Sequence, residues 1–187
     1  MSDRHNIRIS GFGGQGIVLS GYIIGKAASL YDNKNSAFTQ SYGPEARGGA
    51  CSATVVIEEG KIGYPLVRNA DFLIVLSKEA YEKHADNMST GGLIFVDTDL
   101  VSEAPVDNKK IFGIPATRFA EDMGKKIVAN IIMLGFFLSI TGIISKEAVI
   151  ESIKTSVKKD FIDLNLKAFE RGYKYGSDLR GKPEEKI

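Results

Sequence analysis

The sequence predicts an α/β fold, arranged as a three-layer sandwich around a mostly parallel sheet. A short apolar strand runs through a glycine turn directly into an amphipathic helix over Ile7–Ala28. Two later runs, Asp71–Ser77 and Gly92–Asp97, are almost continuously apolar, and a helical stretch separates them. Strands of this kind are buried on both faces, which is typical of a parallel sheet covered by helices on its two sides.

Length and charge restrict the classes of function. The chain has 187 residues, 43% of them hydrophobic, which suits one domain with an ordinary core. We assign residues 1–187 to that single domain, with a core over about residues 6–176 and a polar tail over residues 177–187. Twenty-four Lys and Arg against 23 Asp and Glu give a net charge of +1. We therefore predict no binding to nucleic acid or to a membrane surface, and any anion site must be local.

Cysteine and histidine usage argues against bound metals. The single cysteine, Cys51, cannot close an internal disulfide or supply the thiolates of an iron–sulfur cluster, which favours a cytoplasmic protein. Cys51 falls on the apolar face of a predicted strand, so we expect an inert buried thiol. His5 and His84 lack metal-ligand spacing. No metal site is predicted.

One segment has the length of a membrane-spanning helix. The N-terminus, MSDRHNIRIS, contains no apolar stretch of signal-peptide length, so export is not expected. Ile127–Ile144 is long and apolar but includes Asn130 and several Gly, Ser and Thr residues. A helix that is apolar all round also suits a deep core or a subunit interface, and we expect burial in protein. Such a helix exceeds what one small domain readily hides, so we expect assembly with other subunits.

The glycine turn is the first candidate binding element. Gly11, Gly13 and Gly16 have the G-x-G-x-x-G spacing, and Gly14 adds a fourth glycine. This spacing permits a sharp turn, lets an anion approach the backbone and points the free N–H groups of a helix start at it. Gln15 is the long polar side chain of the turn and could add a donor or an acceptor. The alternative is a tight structural turn that contacts only neighbouring protein.

The next elements complete one side of the predicted sheet. Gly21, Gly25 and Ala28 place small residues along one side of the first helix, which can therefore lie very close to the sheet. A second strand is predicted over Asn35–Ser41 and a third over Ala50–Glu58. The third strand is expected to pair with the second or with a short segment at residues 61–64, KIGY.

The loop between those strands is the second candidate binding element. Its composition, Tyr42-Gly-Pro-Glu-Ala-Arg-Gly-Gly49, favours an irregular segment. Gly48 and Gly49 expose backbone N–H groups beside the guanidinium of Arg47, which makes an anion cradle. In the alternative, Arg47 pairs with Glu45 or a carbonyl inside a structural loop.

The second half of the chain is mostly helical. One further short strand is predicted over Lys110–Pro115. Helices are predicted over Lys78–Asn87, Ala116–Met123, Ile127–Thr141, Lys146–Val157 and Phe161–Tyr175. Ser145 is the N-cap candidate of the fourth of these.

The residues themselves argue against a self-contained enzyme. A nicotinamide-binding domain should carry an acidic residue at the end of its second strand, where this chain has Thr39-Gln-Ser-Tyr42. No nucleophile lies beside a base, and no carboxylate pair suggests acid–base chemistry. We assign no catalytic residue.

Three motifs in order identify a resemblance. GFGGQG after the first strand, TQSYGPEARGG after the second and KIVANIIMLG in the long apolar helix resemble the gamma subunit of 2-oxoacid:ferredoxin oxidoreductases. These thiamine-diphosphate enzymes oxidise 2-oxoacids to acyl-CoA. The resemblance runs from Ile7 to about Tyr175, and TQSYGPEARGG is most similar to the 2-oxoglutarate branch.

The resemblance implies a division of labour among subunits. Thiamine diphosphate, Mg and Fe–S clusters are expected on alpha and beta subunits, with delta as a further candidate, and ferredoxin meets the whole complex. This chain is expected to hold no cofactor alone, to be inactive in isolation, and to help bind coenzyme A while closing the active site. The candidate binding residues are Gly11, Gly13, Gly14, Gln15, Gly16, Ser41, Tyr42, Arg47, Gly48 and Gly49.

Two other functions stay open at this stage. In the first, the chain is a non-catalytic assembly subunit whose loops only dock the catalytic chains. In the second, less favoured, it is a stand-alone dinucleotide-binding oxidoreductase domain. Asn130, the polar residue of the apolar helix, is interpreted as capping a buried backbone group or specifying a subunit contact rather than binding a ligand.

Overall fold

Six strands form one sheet in the computed structural model, which describes residues 4–43, 48–102, 104 and 110–180. The strands are β1 His5–Phe12, β2 Asn35–Tyr42, β3 Ala50–Glu58, β4 Ala70–Val75, β5 Met88–Asp97 and β6 Ile111–Ile114. The helices are α1 Ile17–Lys26, α2 Lys78–His84, α3 Ala116–Asp122, α4 Ala129–Thr141, α5 Lys146–Ser156 and α6 Ile162–Arg180. A π-helical turn, Ala27–Tyr31, extends α1, and short 3₁₀ turns at Lys126–Val128 and Lys159–Phe161 precede α4 and α6.

The strand order is β2-β3-β1-β4-β5-β6. Strands β1, β4, β5 and β6 are parallel neighbours, whereas β3 is antiparallel to both β1 and β2. The prediction of an α/β fold with a mostly parallel sheet is confirmed. The third strand pairs with the second, as expected, but residues 61–64 form no strand. The inner edge of β3 pairs with β1 instead, so no edge remains for that segment.

The two faces of the sheet are covered unequally. One face carries α1 and α3 to α6 over the main apolar core, and the other carries α2 with two smaller clusters. On the first face α1 lies close to β2 and β3, as the small residues predicted. A Cβ built on Gly21 would lie 2.8 Å from both Ala53 Cβ and Phe38 Cε2. Helix α1 can occupy this position only with glycine there.

Helix α4 is buried along almost its whole length inside this chain. Residues 129–139 are all buried, with the sheet on one side and α6 on the other. The expectation that one small domain could not hide this helix is therefore wrong, because α6 adds a further layer over it. Ile127 lies outside α4, in the 3₁₀ turn, and is 66% exposed. Within the described residues, no helix combines the length and apolarity needed to cross a membrane.

The ends of the C-terminal helices are fixed by polar contacts. Ser145 Oγ accepts a hydrogen bond from Ala148 N at 3.4 Å, which confirms the predicted N-cap of α5. Helix α6 continues to Arg180, past its predicted end at Tyr175. Arg180 Nη1 donates to Ser139 O at 2.8 Å, which anchors this last turn on α4. The first residues of the predicted tail are therefore helical, and residues 181–187 lie outside the described chain.

Helices α4 and α6 touch backbone to backbone through glycine, which generates a stability prediction. A Cβ on Gly172 would lie 2.8 Å from Ile132 C and 3.0 Å from Phe136 N, both backbone atoms of α4. We expect Gly172→Ala to lower the free energy of unfolding by about 2–4 kcal/mol, despite the better helix propensity of alanine. Urea denaturation of the full chain measures the change.

Gly25→Ala is the matched control for this substitution. Gly25 also lies in a helix, but its Cβ would meet Ser36 Oγ at 3.5 Å, an ordinary contact. We expect that variant to be neutral or more stable by up to about 1 kcal/mol. Equal stability of the Gly172→Ala chain and the unsubstituted chain would show that α6 shifts freely on α4.

Candidate functional site

The glycine turn joins β1 to α1 at the carboxyl ends of the parallel strands. Gly14 and Gly16 have positive φ angles of 96° and 75°, values that favour glycine. Gly16 is the N-cap of α1, and no side chain caps this helix start. A Cβ on Gly14 would meet nothing within 4 Å. Open space thus lies over a turn beside the uncapped N–H groups of a helix, where an anion is favoured.

Gln15 stabilises the turn through both ends of its amide. Its Oε1 accepts a hydrogen bond from Phe12 N at 2.6 Å, and its Nε2 donates to Leu76 O at 2.7 Å. The side chain therefore ties the turn to the residue that follows β4. Gly11 leaves room for this amide, because a Cβ there would collide with Gln15 Oε1. The side chain that seemed free to add a donor or acceptor is engaged within the protein.

Asn130 holds the other end of the turn. Its Nδ2 donates to Gly16 O at 3.2 Å and to Ser20 Oγ at 3.1 Å, and the side chain is buried. Gly16 lies so close that any Cβ there would overlap the Asn130 amide. The interpretation of Asn130 as the partner of a buried backbone group agrees with these contacts.

The two candidate binding elements lie against each other. Gly13 N donates to Gly49 O at 2.9 Å, and a Cβ on Gly13 would lie 3.4 Å from Gly48 N. Gly13 does not have a positive φ, and a Cβ there would make only an ordinary contact with the second segment. Gly48 has a φ of 71° with open space beyond it. Arg47 lies outside the described residues.

The remaining predicted residues line a pocket on the α2 side of the sheet. Ser41 and Tyr42 end β2, and both border this pocket of about 110 Å³ together with Gly11. Glu79, Lys83 and His84 from α2 complete its polar side. Tyr42 is 63% exposed. Cys51 also borders the pocket but is buried, and burial raises the pKa of its thiol, which agrees with an inert residue.

Two larger pockets flank the turn on its other sides. Gly14 and Gln15 border one of about 310 Å³ that also contains Lys126. Gly16 and Asn130 border one of about 360 Å³ with Lys158 at its rim. Lys126 pairs with Glu121 at 3.0 Å on the surface. The turn is thus the junction of three hollows, each with a lysine beside it.

Sequence reasoning missed a half-buried contact between Arg8 and His84. Arg8 Nη1 lies 3.2 Å from His84 Nδ1, and Arg8 Nη2 donates to Val67 O at 2.7 Å. A guanidinium only donates, so Nδ1 must accept and the neutral ring carries its proton on Nε2. Burial, reinforced by Arg8 and Lys83, lowers the pKa of His84 from 6.5 to about 4. The available signal was Arg8 itself, a charged residue between the inward-facing Ile7 and Ile9.

A second missed residue is Asp97 at the end of β5. Its carboxylate is fully buried and accepts hydrogen bonds from Thr117 N at 2.9 Å, Thr117 Oγ1 at 2.7 Å and Asp99 N at 3.1 Å. Burial raises the pKa of this carboxyl while the hydrogen bonds oppose the rise. Asp97 thereby fixes the start of α3 beside the 310 Å³ pocket. An Asp that ends an apolar run was the signal in the sequence.

Fold and site together define an α/β domain with a glycine turn and an uncapped helix start at the carboxyl edge of its sheet. In the described residues, no group of three or more His, Cys, Asp or Glu could hold a metal ion. Residues 6–175 match the family described as pyruvate ferredoxin/flavodoxin oxidoreductase. The chain belongs to this family.

Relatives resemble the chain over nearly their whole length. It is 49% identical to 2-oxoglutarate synthase subunit KorC of Methanocaldococcus jannaschii, over 94% of this chain and 96% of that protein. It is 47% identical to the subunit of the same name from Methanothermobacter thermautotrophicus, over 90% and 93%. The keto/oxoacid ferredoxin oxidoreductase gamma subunit from Geobacter sulfurreducens is similar in structure, with a TM-score of 0.81, 40% identity, and coverage of 92% of this chain and 98% of that one.

The Arg8–His84 contact predicts how stability depends on pH. The folded protein lowers the pKa of His84 to about 4. As the pH falls, His84 is therefore protonated near pH 6.5 in the unfolded chain but only near pH 4 in the folded chain. This contribution to stability is complete above pH 6.5, falls as the pH drops, and is lost by about pH 4. We expect the loss to be about 1–2 kcal/mol at this half-buried position. Denaturation across this pH range measures it, and His84→Gln should flatten the same interval. An unchanged slope in that variant would assign the pH dependence to other groups.

The contacts of Asn130 predict how much stability the protein loses when this side chain no longer holds the glycine turn. In Asn130→Asp, a carboxylate oxygen replaces the donor that faces Gly16 O, so two acceptors oppose each other and a charge is placed in a buried position, whereas the Ser20 hydroxyl can still donate to it. We expect the free energy of unfolding to fall by about 2–3 kcal/mol. Ser20→Ala is the control, because it leaves the Asn130–Gly16 bond in place and should cost about 1 kcal/mol or less. If both variants cost the same, the bond to Gly16 contributes nothing measurable.

Proposed function

We propose that this chain is the gamma subunit of a multi-subunit 2-oxoacid:ferredoxin oxidoreductase that acts on 2-oxoglutarate, and that its two glycine segments help bind coenzyme A. Membership of the family and the names of the relatives support the reaction and the substrate. The observation that carries the binding proposal is the bond from Gly13 N to Gly49 O. It joins into one surface two segments that each offer backbone donors to an anion.

Coenzyme A has the chemistry for this surface. Its diphosphate and ribose phosphate are anionic, and the uncapped start of α1 and the open side of Gly48 offer N–H groups to such anions. Lys158 borders one of the three hollows and adds positive charge, whereas Lys126 is paired with Glu121 and Lys83 shares its pocket with Glu79. Arg47, next to Gly48 in the chain, is proposed to add a charge-assisted hydrogen bond.

The redox and thiamine chemistry is proposed to reside on other chains. The sequence has one cysteine, and it is buried. We propose that alpha and beta subunits, with a delta subunit where the complex has one, carry thiamine diphosphate, Mg and the Fe–S clusters and transfer electrons to ferredoxin. In this proposal the chain is a cytoplasmic protein that is inactive alone and completes the acyl-CoA-forming site on assembly.

A second function is favoured by the inward-facing polar groups of the turn. Gln15 and Asn130 use their amides within the protein, and Gly13 N is bonded to Gly49 O. A turn whose polar groups are hydrogen-bonded within the chain is a rigid surface, and such a surface also suits docking of a catalytic subunit. In that case the chain is an assembly subunit and coenzyme A lies elsewhere.

Arg47 separates the two functions. If its guanidinium meets a phosphate, Arg47→Ala removes about 1.5–3 kcal/mol of interaction and weakens apparent coenzyme A affinity about ten- to a hundredfold. Steady-state kinetics of the reconstituted complex, with coenzyme A varied, measure this. Thiamine-dependent decarboxylation precedes coenzyme A, so that early step should be nearly unchanged.

Arg47→Lys is the matched variant for that experiment. Lysine keeps the positive charge but lacks the planar guanidinium, which can donate two parallel hydrogen bonds, so it should recover only part of the coenzyme A affinity. Weaker subunit assembly with an unchanged coenzyme A dependence would instead support the assembly function.

A further inference from the structure

Strand β2 is an unprotected edge of the sheet. It is eight residues long, NSAFTQSY, and contains neither a charged residue nor proline. Its register with β3 is unbroken from Asn35 to Tyr42, so no bulge twists it away from a partner. Natural sheets usually protect an edge with charge, proline, a bulge or short length. The opposite edge, β6, is four residues long and is followed by Pro115.

The register shows which backbone groups of β2 face outward. Gly43 N donates to Ala50 O at 2.7 Å, so the backbone of Gly43 points toward β3. Backbone direction alternates along an antiparallel ladder, and the outward N–H and C=O groups therefore belong to Ser36, Phe38, Gln40 and Tyr42. Among the described residues, none bonds to these groups.

An apolar hollow accompanies this edge on the α1 face. Its volume is about 270 Å³, and Tyr22, Leu30 and Phe38 are among its lining residues. Leu30 is 66% exposed and Tyr22 47%. Lys26, the charged residue of the hollow, has its Nζ 5.6 Å from the centre of the Tyr22 ring and donates from it to Thr155 O at 3.1 Å, so its charge is bonded within the chain. Exposed apolar side chains beside free strand hydrogen bonds mark a surface for strand addition.

We propose that β2 pairs with β2 of a second copy of this chain, antiparallel about a two-fold axis, to form one continuous sheet. In a two-fold interface the same surface of both copies is in contact, so a charged residue on the strand would lie near the identical charge of the second copy. β2 has none. An axis at Thr39 places Phe38 opposite Gln40 of the copy and Ser36 opposite Tyr42 of the copy, which pairs all the outward residues. The hollow beside Tyr22 and Leu30 then faces its counterpart.

Gln40→Pro tests this pairing with little risk to the fold. Proline removes an N–H that points away from β3, so the ladder inside the chain is kept. We expect sedimentation of the full chain to give a dimer whose dissociation constant rises at least about tenfold in this variant. Gln40→Thr is the matched control, because it keeps the N–H and a good strand former, and its dimer should be unchanged.

Amide hydrogen exchange on the unsubstituted chain supplies an independent test. As concentration rises, the amides of Ser36, Phe38, Gln40 and Tyr42 should gain protection. Those of Ala37, Thr39 and Ser41, already bonded to β3, should not change. A chain that stays monomeric at high concentration, or a dimer whose outward amides stay unprotected, would overturn the proposal. In the first case the edge is left for a different subunit, and in the second the dimer uses another surface.

Discussion

Close approach of one backbone to another is the constraint on which this structure depends. It occurs where α4 meets α6 at Gly135 and Gly172, and at Gly21 the backbone of α1 comes equally close to side chains of the sheet. It occurs again where the glycine turn meets the second loop at Gly13. At the three helical glycines a single Cβ would collide with a group that belongs to another element, and at Gly13 the two backbones are joined by a hydrogen bond. Helices held this close place their ends accurately, and the candidate site is built from such ends.

The side-chain amides of two residues, Gln15 and Asn130, fix the conformation of the glycine turn. Gln15 joins the turn to the end of β4, and Asn130 joins it to the buried helix α4. Each amide bonds to backbone groups of the turn, which favours one conformation of the turn over its alternatives. The donors left for an anion are then those at the α1 start, held without a side-chain cap. A turn fixed before binding loses little conformational entropy when a ligand arrives.

Much of the fold could be predicted from the sequence because its signals are local. Apolar runs located β4 and β5, and Ser145 located the start of α5. Two conclusions failed because they depend on partners distant in sequence. Burial of α4 required a layer formed by α6, and Gln15 appeared free because its acceptor, Leu76 O, lies 61 residues away. The Arg8–His84 contact could not be predicted for the same reason, since 76 residues separate Arg8 from His84 in the sequence.

The two proposed surfaces of this chain meet at one residue. Tyr42 borders the pocket beside the glycine turn, and its outward backbone ends the pairing edge of β2. A ligand that contacts Tyr42 in the pocket would change how the backbone of this residue is presented to the second copy. Thermodynamic linkage makes such an effect reciprocal, so anion binding at the loop and self-association at β2 should change each other's affinity by the same factor. A coenzyme A titration at two protein concentrations, one below and one above the dissociation constant of the dimer, therefore reports on both surfaces at once.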